Sequence, residues 1–314
     1  MASKYFHPEG VRHVRGLRVA AAWFVVLAAA LFIAAVPVGL QITRGIPGEW
    51  LSGNVRVRWS FMWNNFRNYV KGFGNGESFR YYSGQYEYYF WEQIGDYFQT
   101  SLMYLSLGAV VGTTVGLVFG LIFTYSSNEW WKRGIEMTGA LPDFVIILLL
   151  QYAIVEIAKE TGIVVFKVAN VTRGDEPAII LPVLSMIVIP ALYIIRNVAL
   201  QLRLTLTEDF IGTAKSKGLS KGYILVYHAL PNVLPFMKAD LHKFMGILLG
   251  NLFIVEYFYN IHGITKFLFH DAIGPRGYQY DLVANGILVL LSIYGLLFFI
   301  MRAYLFGWGK VVAR

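Results

Sequence analysis

The chain of 314 residues is 56% hydrophobic and only 15% charged, with a mean hydropathy of +0.52. Soluble domains carry about 25% charged residues, so this composition excludes the ordinary soluble class and indicates a membrane protein. The lack of cysteine excludes disulfides and thiolate sites, and a net charge of +8 is expected where basic residues collect in cytoplasmic loops.

Several apolar stretches are long enough to cross a bilayer as helices, which takes roughly 20 residues each. The first follows a basic segment, as in a signal peptide, but it exceeds the usual apolar core of about 7–15 residues and therefore favours a retained anchor. The predicted fold is an all-α polytopic membrane protein with six transmembrane helices, at residues 19–40, 100–124, 137–157, 178–199, 234–257 and 282–304.

Basic residues set the orientation of these helices, because Lys and Arg collect in short cytoplasmic segments. With both termini in the cytoplasm, every short cytoplasmic segment is basic, through Lys4, Arg12, Arg15, Arg18, Lys132, Arg133, Arg203, Lys215, Lys217, Lys221, Lys310 and Arg314. The predicted organisation is a cytoplasmic N-terminus (1–18), an anchor helix (19–40), an extracytoplasmic segment (41–97), a five-helix core (98–304) with a cytoplasmic loop (208–232), and a cytoplasmic C-terminus (305–314).

The extracytoplasmic segment is dense in aromatic residues, as in RYYSGQYEYYFWEQIGDYF from Arg80. Such side chains are typical of an interfacial belt at the level of the lipid headgroups, or of a small folded cap. A docking surface for another protein is the alternative, and the two interpretations are compatible.

The second predicted span carries glycines at a strict four-residue spacing, at Gly108, Gly112, Gly116 and Gly120. This spacing puts small residues on one stripe of a helix, where the backbone of another helix can approach closely. The pattern predicts a tightly packed helix pair and does not identify the partner helix.

The stretch EDFIGTAKSKGLSKGYILVYHALPN, residues 208–232, is polar and basic between two apolar regions. Its acidic start and basic continuation match the dipole of a short helix that Gly218 terminates. Ser220 is a candidate N-cap for a second helix, which should stop or bend near Pro231. So short a hairpin has to dock on another surface, and its apolar contacts are expected from Phe210, Ala214, Leu219, Ile224 and Leu225.

This stretch resembles the cytoplasmic loop of the permease subunits of bacterial ABC importers. The general pattern is Glu-Ala-Ala, three residues, Gly, nine residues and Ile-x-Leu-Pro, which Ala214, Gly218, Leu230 and Pro231 match at full spacing. It departs at Gly212, where the general pattern has Glu.

The loop is most similar to that of the oligopeptide and dipeptide branch, D-(Y/F)-(I/V)-x-T-A-(R/K)-(A/S)-K-G-L-S and later H-A-L-x-N. The sequence departs from this branch at His262, where Pro usually precedes Gly263, and the aromatic extracytoplasmic segment has no counterpart in the pattern. The matching residues are Asp209, Phe210, Ile211, Thr213, Ala214, Lys215, Ser216, Lys217, Gly218, Leu219, Ser220, His228, Ala229, Leu230 and Asn232, with weaker support from Glu256, Gly263, Asp281 and Gly286.

The resemblance implies that the loop is a coupling helix, inserted into a groove on a separate ATP-binding subunit. It also implies a bacterial cytoplasmic membrane, a second permease subunit, two ATP-binding subunits, an extracytoplasmic substrate-binding protein, and short peptides as cargo. The residues implied in coupling are Glu208, Asp209, Phe210, Gly212, Thr213, Ala214, Lys215, Lys217, Gly218, Leu219, His228, Leu230 and Pro231.

The sequence contains no G-x4-G-K-(S/T) loop to hold a nucleotide, so ATP and Mg²⁺ are expected on the partner subunits. No histidine spacing predicts a metal site, and no catalytic set of nucleophile, base and orienting group can be assembled. We therefore expect this chain to be neither an enzyme nor a cofactor-binding protein by itself.

Ionisable residues within predicted spans are costly, which makes Asp143, Asp240, His242 and Glu256 candidates for a translocation path. Asp143 follows Pro142 and is expected to cap the helix that restarts there. Glu256 is expected near the outer surface, where it could meet arriving substrate.

Asp240 and His242 lie in the first turn of the fifth predicted span, together with Lys238 and Lys243. At helical spacing Lys238 and His242 share a face, and Asp240 and Lys243 can pair across one turn. This turn is either still at the cytoplasmic water boundary or part of a wet translocation cavity.

Other functional classes remain open. Inverted internal repeats would favour a secondary transporter or channel that works without ATPases, and none is evident in the sequence. A permease for another solute, such as a metal chelate, would share the coupling loop, whereas a membrane scaffold or receptor would not need it. Nucleic-acid binding is not expected, because the basic residues are dispersed and form no continuous patch.

Overall fold

The computed structural model describes residues 8–43, 54–126, 133–134, 137, 141–170, 178–274 and 277–312. Lys4, Glu49, Lys132 and Arg314 lie outside the described residues, and so do the side chains of Arg12 and Arg15. The chain forms two compact units, one made of Met1–Gln93 and Leu268–Leu288 and the other of Ile94–Phe267 and Val289–Arg314.

The amino-terminal part of the chain combines helices with two antiparallel hairpins. In chain order its described elements are α1 (Pro8–Ile33), α2 (Val36–Gly39), β1 (Leu40–Thr43), β2 (Asn54–Val57), α3 (Trp59–Gly72), a 3₁₀ turn (Glu77–Phe79), β3 (Arg80–Ser83), β4 (Tyr86–Tyr89) and α4 (Phe90–Tyr125).

In the described part of the remaining chain, the regular elements are helices apart from one short hairpin. Its described elements are α5 (Asp143–Thr161), α6 (Ile180–Thr205), α7 (Asp209–Ser216), α8 (Lys221–Tyr223), a π-helical segment (Ile224–Ala229), α9 (Leu230–Ala239), α10 (Leu241–Phe258), α11 (Ile264–Asp271), β5 (Ile273–Gly274), β6 (Gly277–Tyr278) and α12 (Tyr280–Val312).

Within the described residues, four helices are long and apolar enough to cross a membrane: α4, α6, α10 and α12. They correspond to the second, fourth, fifth and sixth predicted spans. The first predicted span falls on α1 and α2, where a shorter apolar stretch covers Trp23–Ile33. The third falls on α5, whose last two turns carry Glu156, Lys159 and Glu160. Six spans with cytoplasmic termini therefore remain a prediction.

The first unit shows that much of the aromatic segment is folded. The Tyr69 hydroxyl donates to Asn285 Oδ1 at 2.7 Å, and Asn285 Nδ2 donates to the Ser78 carbonyl at 2.7 Å. Ser78 Oγ closes the cycle by donating to the Tyr69 carbonyl at 2.7 Å. Burial raises the pKa of the Tyr69 hydroxyl, which keeps it protonated as a donor. The surrounding core contains Leu31, Ala35, Met62, Tyr69, Tyr280 and Ala284.

Strands β3 and β4 pair antiparallel, from Arg80 with Tyr89 to Ser83 with Tyr86. The Gln279 side chain binds the edge of this hairpin, since Oε1 accepts from the Tyr82 backbone N–H and Nε2 donates to the Tyr82 carbonyl, both at 2.6 Å. The described part of the aromatic segment is therefore folded, and its position as a cap outside the membrane and its role as a docking surface stay predictions.

In the second unit, α4 packs closely on α6 through the predicted glycine stripe. A Cβ atom at Gly108 would lie 2.7 Å from the Met186 carbonyl oxygen, and one at Gly116 would lie 2.5 Å from Ile194 Cβ. Real side chains do not approach so closely, so only glycine allows this separation of the helices. The stripe thus forms a helix interface as predicted, and the structure identifies α6 as its partner.

Replacing Tyr69 with Phe should lower the melting temperature of the detergent-purified protein. The change leaves Asn285 Oδ1 buried without its donor, which costs about 1–3 kcal/mol. Tyr86→Phe is the matched control, since Tyr86 is 73% exposed, and it should melt like wild type. Equal melting temperatures for the two variants would contradict a stabilising role for the hydrogen-bonded cycle.

Replacing Gly116 with Ala should also destabilise the protein, because overpacking of a tight interface costs about 1–3 kcal/mol. Gly250→Ala in α10 is the control, since apart from the adjacent backbone of its own helix no atom lies within 4 Å of the position that its Cβ would take. Thermal unfolding in the same detergent compares the two. A Gly116→Ala protein as stable as the Gly250→Ala protein would show that α4 and α6 can separate without cost.

Candidate functional site

The segment 208–232 adopts the predicted order of helix, glycine turn and helix. Helix α7 follows the extended residue Glu208, and after the C-cap residue Lys217, Gly218 takes a left-handed φ of +78°. The Ser220 Oγ then accepts from the Tyr223 N–H at 3.4 Å as the N-cap of α8. Glycine is favoured at such a φ because a Cβ atom would be strained, so local sequence chemistry produces this turn.

The predicted stop near Pro231 does not occur there, and a bend at this position stays a prediction. Helix α8 continues through the π-helical segment into α9, and Pro231 lies in the first turn of α9. A proline lacks an N–H and its ring crowds the preceding turn, but the widened turn before it accommodates both effects. The chain therefore remains helical up to Ala239, and the break falls at Asp240 instead.

The segment docks on its own unit through most of the expected apolar side chains and through Ile211. Ile211 is fully buried and Ala214 is nearly so, whereas Phe210 is 43% exposed. Ile224 and Leu225 are also buried, as expected, and Ile211 is a further inward contact that the sequence did not single out. The contact expected of Phe210 stays a prediction. Lys221 adds a polar contact, since its Nζ donates to the Tyr125 carbonyl at the end of α4 at 3.0 Å.

Most of the residues implied in coupling lie on one accessible surface, hereafter the loop surface. The acidic residues open α7, and the lysines follow near its end, where each charge has the sign that the helix dipole favours. Ala214 and Leu230 are buried, and Leu219, His228 and Pro231 are half-buried. The exposed members, which define the loop surface, are Glu208, Asp209, Phe210, Gly212, Thr213, Lys215, Lys217 and Gly218.

Asp240 lies at the junction between α9 and α10 and binds α6. Its Oδ2 accepts from the Tyr193 hydroxyl and from Asn197 Nδ2, the latter at 3.2 Å. The predicted pair with Lys243 does not form, because the Lys243 Nζ lies over the Tyr193 ring, 5.2 Å from its centroid. Helical spacing alone suggested that pair, but the helix ends at Asp240 and its carboxylate turns to α6.

His242 and Lys238 both contact α12, although the break at Asp240 puts them on different helices. The His242 Nδ1 is hydrogen-bonded to the Tyr294 hydroxyl, and its ring stacks on Phe298 with centroids 4.6 Å apart. The Lys238 Nζ lies 5.7 Å from the centroid of the Phe306 ring. A path-lining role for His242 stays a prediction.

Asp143 does not cap α5 as expected. Pro142 occupies the N-cap position, and Asp143 is the first residue of the helix, with no side-chain capping bond. A carboxylate in the first turn still favours the helix dipole, so the acidic residue supports the helix start through its charge.

Glu256 is fully buried, and its carboxylate caps α11. Oε2 accepts from the Thr265 N–H at 2.9 Å, the Thr265 hydroxyl at 2.5 Å and the Lys266 N–H at 3.2 Å. Oε1 accepts from the Ser101 hydroxyl of α4 at 2.5 Å, and the Ser101 oxygen accepts in turn from the Ile264 N–H at 2.8 Å. These donors compensate for the burial of the charge.

The close approach of the Glu256 carboxylate requires Gly263, where a Cβ atom would overlap the carboxylate atoms. With an exposed fraction of 0%, Glu256 does not face an incoming solute, contrary to the expectation from sequence. Sequence reasoning also missed Ser101, Thr265, Tyr193 and Asn197 as partners of the acidic residues. Tyr193 and Asn197 are polar residues four apart in an apolar helix, and this spacing was the available signal.

Glu256→Gln should lower thermal stability, because an amide presents one acceptor where the carboxylate satisfies several donors. Hydrogen bonds to charged groups contribute about 1.5–3 kcal/mol each. The matched control is Glu160→Gln, since Glu160 is exposed on α5. Differential scanning fluorimetry in detergent measures both. If the two variants melted alike, the capping of α11 by Glu256 would contribute no stability.

The structure combines long apolar helices with an exposed polar segment of two short helices joined by a turn. This combination defines an integral membrane protein with a surface suited to a partner outside the bilayer. The family described as binding-protein-dependent transport system inner membrane component matches residues 91–307, which is more than half of the chain. The chain belongs to this family and is an inner membrane component of a transport system. The resemblance found in the 208–232 segment is thereby confirmed.

Individual relatives agree with this family. The chain is 24% identical to a dipeptide transport system permease protein of Alkalihalophilus pseudofirmus, over 66% of this chain and 68% of the relative. It is 30% identical to the corresponding permease of Bacillus subtilis, over 54% of each chain. A nickel import system permease protein of Staphylococcus aureus is 24% identical, over 69% of this chain and 62% of the relative.

Proposed function

We propose that this chain is the transmembrane permease subunit of an ABC importer for short peptides. It forms half of the translocation path together with a second permease subunit, identical or related. Two ATP-binding subunits and an extracytoplasmic substrate-binding protein complete the transporter. The assembled complex hydrolyses ATP, and nucleotide and Mg²⁺ bind to the partner subunits rather than to this chain.

The observation that carries this proposal is the loop surface on a capped, docked helical segment. Phe210 is an exposed aromatic side chain surrounded by acidic and basic residues, a composition suited to an aromatic anchor within the polar rim of a protein interface. Because α7 is tied at one end to α6 and at the other to α9, a push on it would reach the spans as a rigid-body movement. Closure of the ATP-binding subunits would supply that push.

Peptides are the preferred cargo because two of the relatives described above are dipeptide permeases. The nickel import relative favours a second candidate, the import of a metal chelate by the same type of complex. Uptake of a labelled dipeptide and of nickel, each measured in proteoliposomes with the whole transporter, separates the two.

The coupling role is tested by purifying the chain from its native host in mild detergent and quantifying the ATP-binding subunits that accompany it. Phe210→Ala should lower their recovery about tenfold or more, because an aromatic anchor at an interface contributes about 2 kcal/mol or more. Tyr257→Ala is the matched control, since Tyr257 is 73% exposed on α10 and lies away from the loop surface. It should retain the ATP-binding subunits.

Two substitutions at Gly218 test whether the shape of the turn matters. Gly218→Val should lose ATPase stimulation, because a β-branched residue is strained at a φ of +78°. Gly218→Asn should retain it, since Asn tolerates the left-handed region. Recovery of the second permease in both variants shows that folding is intact. If wild type recovered no ATP-binding subunit, a secondary transporter, a channel or a scaffold would replace the proposed function.

A further inference from the structure

The α9–α10 junction borders a cavity of about 370 Å³, within the range of about 300–1,000 Å³ typical of small-molecule sites. Residues of α4, α6, α9, α10 and α12 line it, all from the second unit. Its walls combine apolar side chains, among them Phe236, Phe244 and Leu305, with a few polar groups. This composition suits a ligand with an apolar body and one polar end.

The cavity contains a carboxylate that has no counter-ion. Asp240 accepts hydrogen bonds only from the neutral donors Tyr193 and Asn197, and among the described residues no basic nitrogen lies within 4.0 Å of it. Lys243, which also lines the cavity, has its ammonium over the Tyr193 ring instead. An acidic residue this close to an apolar interior is costly unless a positive charge compensates for it.

A second, independent feature of the cavity is the hydroxyl of Thr113. Thr113 lines the cavity from α4 and is 1% exposed, and its Oγ1 has no hydrogen-bond partner among the described residues. Its neighbour Thr114 shows the usual arrangement, donating to the Val110 carbonyl at 2.7 Å. A buried polar atom without a partner costs about 1–3 kcal/mol, so a ligand that supplies one would recover that cost.

We propose that this cavity binds the ammonium group of a small organic cation, with Asp240 as the charged acceptor and Thr113 as a neutral one. An ammonium carries three N–H donors and no acceptor, which matches a carboxylate without a counter-ion and an unpartnered hydroxyl that line the same cavity. In the proposed peptide importer, which this inference takes as its basis, the ligand is the amino terminus of the transported peptide. The apolar walls contact the remainder of the peptide.

A metal ion fits this cavity less well. The carboxylate of Asp240 is its one anionic side chain, and within the described part of the chain no group of three or more His, Asp or Glu side chains is placed to hold a metal. Divalent transition metals prefer imidazole, thiolate or several carboxylates. Bare Ni²⁺ is therefore an appropriate negative probe.

The test measures ligand binding to the purified full-length chain in nanodiscs by isothermal titration calorimetry. The probes are alanyl-alanine, its N-acetylated form, ethylammonium chloride and NiCl₂. Alanyl-alanine and ethylammonium should bind, and the acetylated dipeptide and Ni²⁺ should not. Asp240→Asn keeps the size of the side chain and should weaken ammonium binding about tenfold or more, as loss of a charge-assisted hydrogen bond implies. Glu160→Gln, which removes an exposed carboxylate elsewhere, should bind like wild type.

Thr113→Val is a second variant, which keeps the proposal testable if Asp240→Asn does not fold. It removes the unpartnered hydroxyl, so the unliganded protein should melt at the wild-type temperature or above it, while affinity for ethylammonium falls. A purely structural role for Thr113 would instead lower stability and leave affinity unchanged, and this result would overturn its place in the site.

The remaining outcomes separate this inference from the proposed function. If ethylammonium binding requires Asp240 but the transporter takes up no peptide, the ammonium site is supported and peptides are excluded as the cargo. Equal binding of free and acetylated dipeptide would overturn the ammonium site even if peptide uptake occurred. Binding of Ni²⁺ that Asp240→Asn abolishes would overturn it in favour of a metal cation, and no binding by any probe would show that the cavity holds water only.

Discussion

The close contact of α4 with α6 is the constraint on which the second unit depends. In a membrane, lipid tails solvate apolar side chains as well as protein does, so helices associate through close packing and hydrogen bonds rather than through hydrophobic burial. The glycines of α4 allow its backbone to reach the Met186 carbonyl and the Ile194 side chain. The same helix carries Ser101, Thr113 and Tyr125, so its position on α6 also sets the Glu256 cap, the cavity and the anchor of the 208–232 segment.

The two acidic residues at the ends of α10 differ in how their charges are satisfied. Glu256 accepts hydrogen bonds from hydroxyls and from backbone N–H groups at the start of α11, and no exposed surface remains. Asp240 accepts from two neutral side chains beside an open cavity. A fully satisfied buried carboxylate stabilises the fold, whereas an incompletely compensated one has capacity left for a ligand. This contrast assigns a structural role to Glu256 and makes Asp240 the stronger candidate for recognition.

The segment 208–232 leads to the cavity through a helical path that begins after the Gly218 turn. From α8 the chain passes through the π-helical segment and α9 to the break at Asp240. A movement of α8 would therefore reach the cavity without leaving this helical path, and π-helical turns often occur at functional positions. In the proposed importer this path would link the state of the ATP-binding subunits to the affinity of the cavity for its ligand.

The sequence by itself determined the features that depend on local residue chemistry or on long apolar stretches. The spans that match α4, α6, α10 and α12, the turn at Gly218, the Ser220 cap and the glycine stripe all follow from residue type and spacing, and the loop pattern led to the family. The inward position of Ile211, the continuation of the helix past Pro231 and the start of α5 at Asp143 depend on how neighbouring turns pack. Only the tertiary structure decided the partners of the acidic residues. Tyr193 and Ser101 are distant in sequence from Asp240 and Glu256, and helix packing alone brings them within hydrogen-bonding distance.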